Sequence, residues 1–219
     1  MKKSVLEFLT RLDANNNREW FQVNKQEYEA AKIEVESFVD SVIPIIAKFD
    51  DSVKFIGARD CMFRIYRDVR FSKDKAPYKI NMGAWITKAG RKSAGPGYYI
   101  HLQPGGSFLS TGVYMPEPDQ LKKIRKEIYY NVAEFQSILN DKKLKKYCDG
   151  LSEMDKMKMP PKDFPRDFPA IDLLKHKHYV VTHPVRNEMV DSDHFNDFVG
   201  IAFKAMHPLN VFLTRALED

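Results

Sequence analysis

Between Arg18 and Phe49 the apolar side chains fall at Phe21, Tyr28, Ala31, Val35, Phe38, Val42, Ile46 and Phe49, in steps of three, four and seven. That period is one face of an α-helix. The spacing therefore predicts a long amphipathic helix, capped by Asn16 and bent where Pro44 removes a backbone donor. An earlier helix carries Val5, Leu6, Phe8, Leu9 and Leu12 on one stripe and is broken by Asp13-Ala14-Asn15-Asn16. After Phe49 the pattern shifts to aromatic and β-branched runs with period two. These predict strands at Val53–Ile56, Cys61–Asp68, Met82–Lys88, Tyr98–Gln103 and Phe108–Met115, the last two a hairpin across Pro104-Gly105-Gly106. Helical spacing returns from Pro118, with a break near Asn131. A short helix follows at Ile171–Lys175, a strand at His178–Thr182, a closing helix through Phe195 and Met206, and a last helical segment from Pro208. Helices, then strands, then helices with one late strand specify an α+β fold. The expectation is one domain over residues 1–219, its mainly antiparallel sheet packed with the long N-terminal helix and the C-terminal helices.

The chain has 219 residues, 43% hydrophobic and 30% charged, which excludes a disordered chain and suffices for a core without disulfide or metal staples. No run approaches the roughly 18 apolar residues of a membrane span. Two basic residues at the start are followed by no apolar run of the kind a secretion signal needs. The two cysteines, Cys61 and Cys148, are far apart and match no zinc spacing. A reducing, cytoplasmic setting is expected. Nothing in the residues names a cofactor or an oligomeric state.

Charge is distributed unevenly. Arg59–Lys79 holds seven Lys/Arg and three Asp, a net of +4, while the whole chain carries +5, so the remainder is almost neutral. A positive field gathered into one short window calls for an anionic partner. On the predicted strand, alternation places Cys61, Phe63 and Ile65 on a core face and Met62, Arg64, Tyr66 and Asp68 on the other. Pro77 makes the following stretch a loop. The candidate ligand-binding residues are Arg64, Tyr66, Arg67, Asp68, Arg70, Lys73, Asp74, Lys75, Tyr78 and Lys79. Arginine forks suit bidentate carboxylate or phosphate contacts and lysines add point charge. His101 joins them as a pocket donor or acid/base, sharing a strand face with Tyr99 and Gln103.

The run F-R-I-Y-R-D-V-R-F-S-K-D-K-A-P-Y-K resembles the signature of an uncharacterised family, domain of unknown function 2461. Further blocks resemble it too: N-N-N-R-E-W-F at Asn15–Phe21, G-Y-Y-I-H-L-Q-P-G at Gly97–Gly105 and P-A-I-D-L-L-K at Pro169–Lys175. The resemblance spans nearly the full length and implies a single domain of this size. It departs at Gln103, where the family leads one to expect Glu, and at Tyr114, where it leads one to expect Trp. It implies no activity.

Three readings of the basic window stay open. It binds a phosphate- or carboxylate-bearing small molecule, with or without catalysis. It binds nucleic acid, with bases on phosphates and aromatics stacking. Or it is a structural charge network, with Arg18, Glu19, Glu27 and Glu34 as partners on the long helix. No nucleotide loop, nucleophile elbow or reactive-cysteine context is present. His176, His178 and His183 lack a convincing companion ligand, so no metal site is expected.

Overall fold

A computed structural model describes residues 4–218. It is an α+β structure built on a four-stranded antiparallel sheet. The helices are α1 (Ser4–Ala14), α2 (Arg18–Val23), α3 (Lys25–Ile46), α4 (Ala58–Cys61), α5 (Pro118–Tyr130), α6 (Val132–Leu139), α7 (Asn187–Val190) and α8 (Phe195–Glu218). The strands β1 (Met82–Ile86), β2 (Gly97–Leu102), β3 (Ser107–Val113) and β4 (Tyr179–Val185) lie side by side in sequence order. Among the described residues no helix is long and apolar enough to cross a membrane.

The chain forms two compact units, each interrupted in sequence. The first comprises residues 4–92 with Tyr99–Leu109 and Pro184–Ile201; the second comprises Ser93–Tyr98, Ser110–His183 and residues 202–218. In the first, α1 buries Val5, Leu6, Phe8, Leu9 and Leu12, and α3 buries Ala31, Val35, Phe38, Val39, Val42, Ile43 and Ile46. Phe38 stacks on Phe195 at 4.9 Å. In the second, Phe135, Tyr179 and Phe212 form an aromatic core, with Phe135 and Phe212 4.9 Å apart.

Several expected elements take a different form. The long helix is divided at Asn24, whose side-chain amide and backbone N–H both donate to the Trp20 carbonyl, at 2.8 and 3.0 Å. Those two bonds close α2 and let α3 start afresh. The cap of α2 is Asn17, which accepts from the Trp20 N–H at 2.9 Å, not Asn16. Asn16 instead grips the backbone of Tyr78 from both sides, donating to its carbonyl at 3.0 Å and accepting from its N–H at 3.1 Å. No strand occupies residues 53–56; a 3-10 turn, Asp51–Val53, stands there, its first N–H groups drawn to Asp50. Pro208, expected to begin a new helix, lies inside the continuous α8.

The largest correction concerns Cys61–Asp68. Its first residue closes the helical turn α4, which Asp40 tethers by accepting the Ala58 N–H at 2.7 Å. Residues 62–67 are then extended and run antiparallel to 77–84, but meet them only at isolated bridges, Met62 to Ala84 and Tyr66 to Tyr78. Pro77 has no N–H to contribute, so no ladder can form through it. The helical turn also shifts the alternation: Met62 and Ile65 are buried, and Phe63 is 39% exposed.

Candidate functional site

In the first unit a cleft of about 720 Å³ opens where α3, the 59–66 segment and its returning partner face one another. Lys32 and Glu36 lie one helical turn apart on α3, which puts both on one face, with Tyr28 a turn earlier. Arg59 comes from α4, and Phe63, Arg64 and Tyr66 from the extended segment. Lys79, Asn81 and Met82 return along the other side, and Arg91 closes the rim. Gly90 makes that rim possible. Its φ is +63° and a Cβ there would lie 2.5 Å from the Asp60 carbonyl oxygen, so only glycine brings the chain this close. Arg91 can then donate to the carbonyls of Arg59 and Asp60 at 2.6 and 3.1 Å.

Five cations and one carboxylate line this cleft. Glu36 sits 3.8 Å from Lys32. Among the described residues the side chains of Arg59, Arg64 and Lys79 form no ion pair or hydrogen bond. Burial, and then the neighbouring Arg64 guanidinium, hold the Lys79 ammonium below its ordinary pKa. The ammonium lies over the Phe63 ring, 5.4 Å from its centroid. Burial, followed by Glu29, Tyr66 and Glu36, pushes the Tyr28 phenol up to about 12, so it stays protonated and can donate a hydrogen bond.

The candidates read from the sequence divide into groups. Arg64, Tyr66 and Lys79 come together in the cleft. Arg67 pairs with Asp74 at 2.5 Å and donates to the Ala76 carbonyl at 3.1 Å, pinning the loop to itself. Arg70 holds Asp68 through two guanidinium bonds of 3.0 and 2.7 Å. Both carboxyls lie below the usual range: Asp68 first because of the Arg70 guanidinium, Asp74 first because it accepts from the Ala76 N–H and then because of Arg67. Lys75 donates to the Val69 carbonyl at 3.0 Å, and Lys73 is exposed on the same loop. Tyr78 is buried against Phe21, ring on ring at 3.9 Å, and serves as packing. None of these five basic and acidic loop residues, nor Lys73, lines the cleft.

His101 stands behind the cleft wall. Its Nδ1 lies 3.1 Å from the Tyr99 hydroxyl and 3.3 Å from the Asn81 amide nitrogen, and its Nε2 lies 3.0 Å from the Gln103 oxygen. Phe108 stacks on the ring at 4.5 Å. Burial holds its pKa below the ordinary value, against the opposing pull of Gln103, so the imidazole is neutral at pH 7. His101 reaches the cleft only through Asn81.

Tyr28, Lys32, Glu36, Asn81 and Arg91 were not among the sequence candidates. The Lys32/Glu36 spacing on a helix was visible, but which face meets the basic window is a tertiary fact. Three histidines of the second unit are bound to backbone: His176 to the Ser152 carbonyl at 2.9 Å, His178 to the Met115 N–H at 3.0 Å and His183 to the Tyr147 carbonyl at 2.8 Å. Burial pushes both free thiols, Cys61 and Cys148, up to about 12, which leaves neither a nucleophile at neutral pH.

No curated protein and no solved structure matches the chain. Family comparison gives one match, over residues 4–212 and thus almost the whole length, to a family described as a conserved hypothetical protein, and the chain belongs to that family, domain of unknown function 2461.

Proposed function

We propose that the cleft binds an anionic small molecule, phosphate- or carboxylate-bearing, in a cytoplasmic protein. The observation that carries this reading is the gathering of Lys32, Arg59, Arg64, Lys79 and Arg91 around one cleft whose lining holds a single carboxylate, Glu36. Lys79 is half-buried and feels the exposed Arg64 guanidinium, so its charged form is disfavoured. A bound anion removes that penalty, and the arginine fork gives it a directional contact. The structural-network reading fits a different part of the window, the loop where Arg67 and Arg70 are matched by Asp74 and Asp68. Of its expected partners on the N-terminal helices, Glu27 pairs with Arg11 instead.

Thermal unfolding in increasing inorganic phosphate and pyrophosphate tests the proposal, because a ligand of the native state raises its stability by mass action. The melting temperature is expected to rise with either anion in the parent protein and to stay flat in Arg64→Ala. An equal rise in parent and variant, or no rise in the parent, would remove the cleft as an anion site.

A further inference from the structure

We infer that the anion this cleft takes is a nucleoside polyphosphate. The inference rests on the anion-binding reading above and deepens it in two respects, the number of charges on the ligand and the presence of a planar ring.

Charge number comes from the lining. Against five cations there is one carboxylate, Glu36, already beside Lys32. A monocarboxylate or a single phosphate leaves most of that positive charge unmatched, whereas a diphosphate or triphosphate chain brings three or four negative charges. The cations are also spread over separate pieces of chain. Lys32 is on α3, Arg59 on α4, Arg64 on the extended segment, Lys79 on its return and Arg91 follows Gly90. A row of anionic groups can meet cations from several elements, where one compact anion meets two or three. The arginine forks can take phosphate oxygens bidentately, as they can carboxylates, so the choice of phosphate rests on charge number and spread.

The ring comes from the walls. Phe63 and Tyr66 flank Arg64 and remain 39% and 50% exposed, although both are large aromatic side chains lining a cleft. Tyr66 is also prearranged. Its ring rests against Phe21 and Tyr78 at centroid distances of 6.1 and 5.4 Å, and those two are themselves stacked. A fixed aromatic face beside phosphate-binding cations is what a nucleobase needs for stacking. Glu36 and Asn81 add groups able to bond sugar hydroxyls or base amines, and His101 steadies the Asn81 amide from behind. The volume of about 720 Å³ is ample for a ligand of this size.

Isothermal titration with ATP, GTP, inorganic triphosphate, citrate and a single-stranded oligonucleotide decides the matter, using the full chain and its Tyr66→Ala, Tyr66→Phe and Arg64→Ala variants. ATP or GTP is expected to bind about tenfold more tightly than triphosphate, the scale of one base-aromatic stack. Tyr66→Ala should erase that advantage while leaving triphosphate affinity in place, and Tyr66→Phe should keep it. Arg64→Ala should weaken nucleotide and triphosphate alike by at least tenfold, the scale of one charge-assisted hydrogen-bond contact. Equal affinity for triphosphate and both nucleotides would overturn the nucleoside while sparing the anion site. Tightest binding of citrate would overturn the phosphate. A tighter, steeply salt-dependent complex with the oligonucleotide would overturn the small-molecule ligand in favour of nucleic acid. No binding by any probe would overturn the anion site itself. Loss of the nucleotide advantage in Tyr66→Phe as well as in Tyr66→Ala would overturn ring stacking.

Discussion

The cleft around Arg64 and a cavity in the second unit, lined by Glu153, Lys156, Asp172 and His176, have similar volumes of about 720 and 630 Å³, and both gather charged side chains. They treat that charge in opposite ways. In the second unit Lys156 reaches Asp172 at 2.6 Å and Glu153 at 2.9 Å, while Lys175 takes the other oxygen of Asp172 at 3.2 Å. Burial works against the Lys156 charge, yet the bonds to Asp172 and Glu153 outweigh it and raise its pKa. Asp172 is correspondingly lowered, first by Lys156 and then by Lys175. Lys156 and Asp172 are thus matched by groups that lie beside them. In the cleft Lys79 shifts the other way, through burial and Arg64. Volume does not separate the two, and neither does the number of ionisable groups. The difference is whether the central lysine, Lys156 or Lys79, finds its counter-charge inside the protein.

The comparison breaks first at Lys156. Its side chain is 18% exposed and sits between two carboxylates, so Lys156→Met leaves Glu153 and Asp172 without their shared partner. Because both carboxylates remain largely solvated, the loss is held to about 1 kcal/mol. For a chain of this length that lowers the melting temperature by about 2–4 °C. An unchanged melting temperature in a denaturation scan would mean that the second cavity does not depend on its internal pairing, and the contrast would collapse.

Lys79→Met sharpens the same contrast from the other side, with a smaller effect of opposite sign. A lysine whose folded pKa is depressed binds fewer protons folded than unfolded between that value and the ordinary value of 10.5. Stability therefore rises with pH across that window, and below it the penalty of keeping Lys79 charged is fully present. Removing the charge should raise stability at pH 7 by about 0.5 kcal/mol, as surface-charge relief commonly does, while abolishing the response to phosphate. It should also remove the rise in stability between the depressed value and pH 10.5. Chemical denaturation of parent and variant across this pH range checks both. A variant less stable at pH 7 would show that Lys79 holds the fold rather than waiting for a ligand.

The alternation between helical and strand periods identified most elements and the α+β class, because the core residues of α1, α3, α5 and the sheet repeat at the intervals their geometry demands. It misread Cys61–Asp68, where aromatic and β-branched residues look like a strand whatever the pairing. Whether such a segment forms a ladder depends on its neighbour, and the neighbour here contains Pro77. The basic window was visible as a charge excess, but local charge cannot say which bases meet acids. Arg67 and Arg70 find theirs within the loop, seven and two residues away. Arg64 lies among them in sequence and faces Lys79 in the fold. Lys32 and Arg91 enter only because α3 and the turn at Gly90 come alongside, a contact between residues dozens of positions apart. Asn16 shows the same limit, since its amide serves Tyr78 rather than the helix start beside it.

The smallest effect distinguishes the two halves of the basic window itself. Arg70 is exposed, bonded to Asp68 two residues before it, and lies outside the cleft. An exposed pair of this kind gains little, since water solvates both partners once they separate. Arg70→Ala should therefore leave the melting temperature unchanged within measurement, and the phosphate-dependent rise should match that of the parent protein. Arg64→Ala, six residues earlier, should abolish that rise. Both variants remove one positive charge from the same loop region, so any long-range field effect on an anion is nearly common to the two. A phosphate response lost in both would assign the binding to that diffuse field and not to the cleft. A response kept in Arg70→Ala and lost in Arg64→Ala isolates the contact made by one guanidinium at one place.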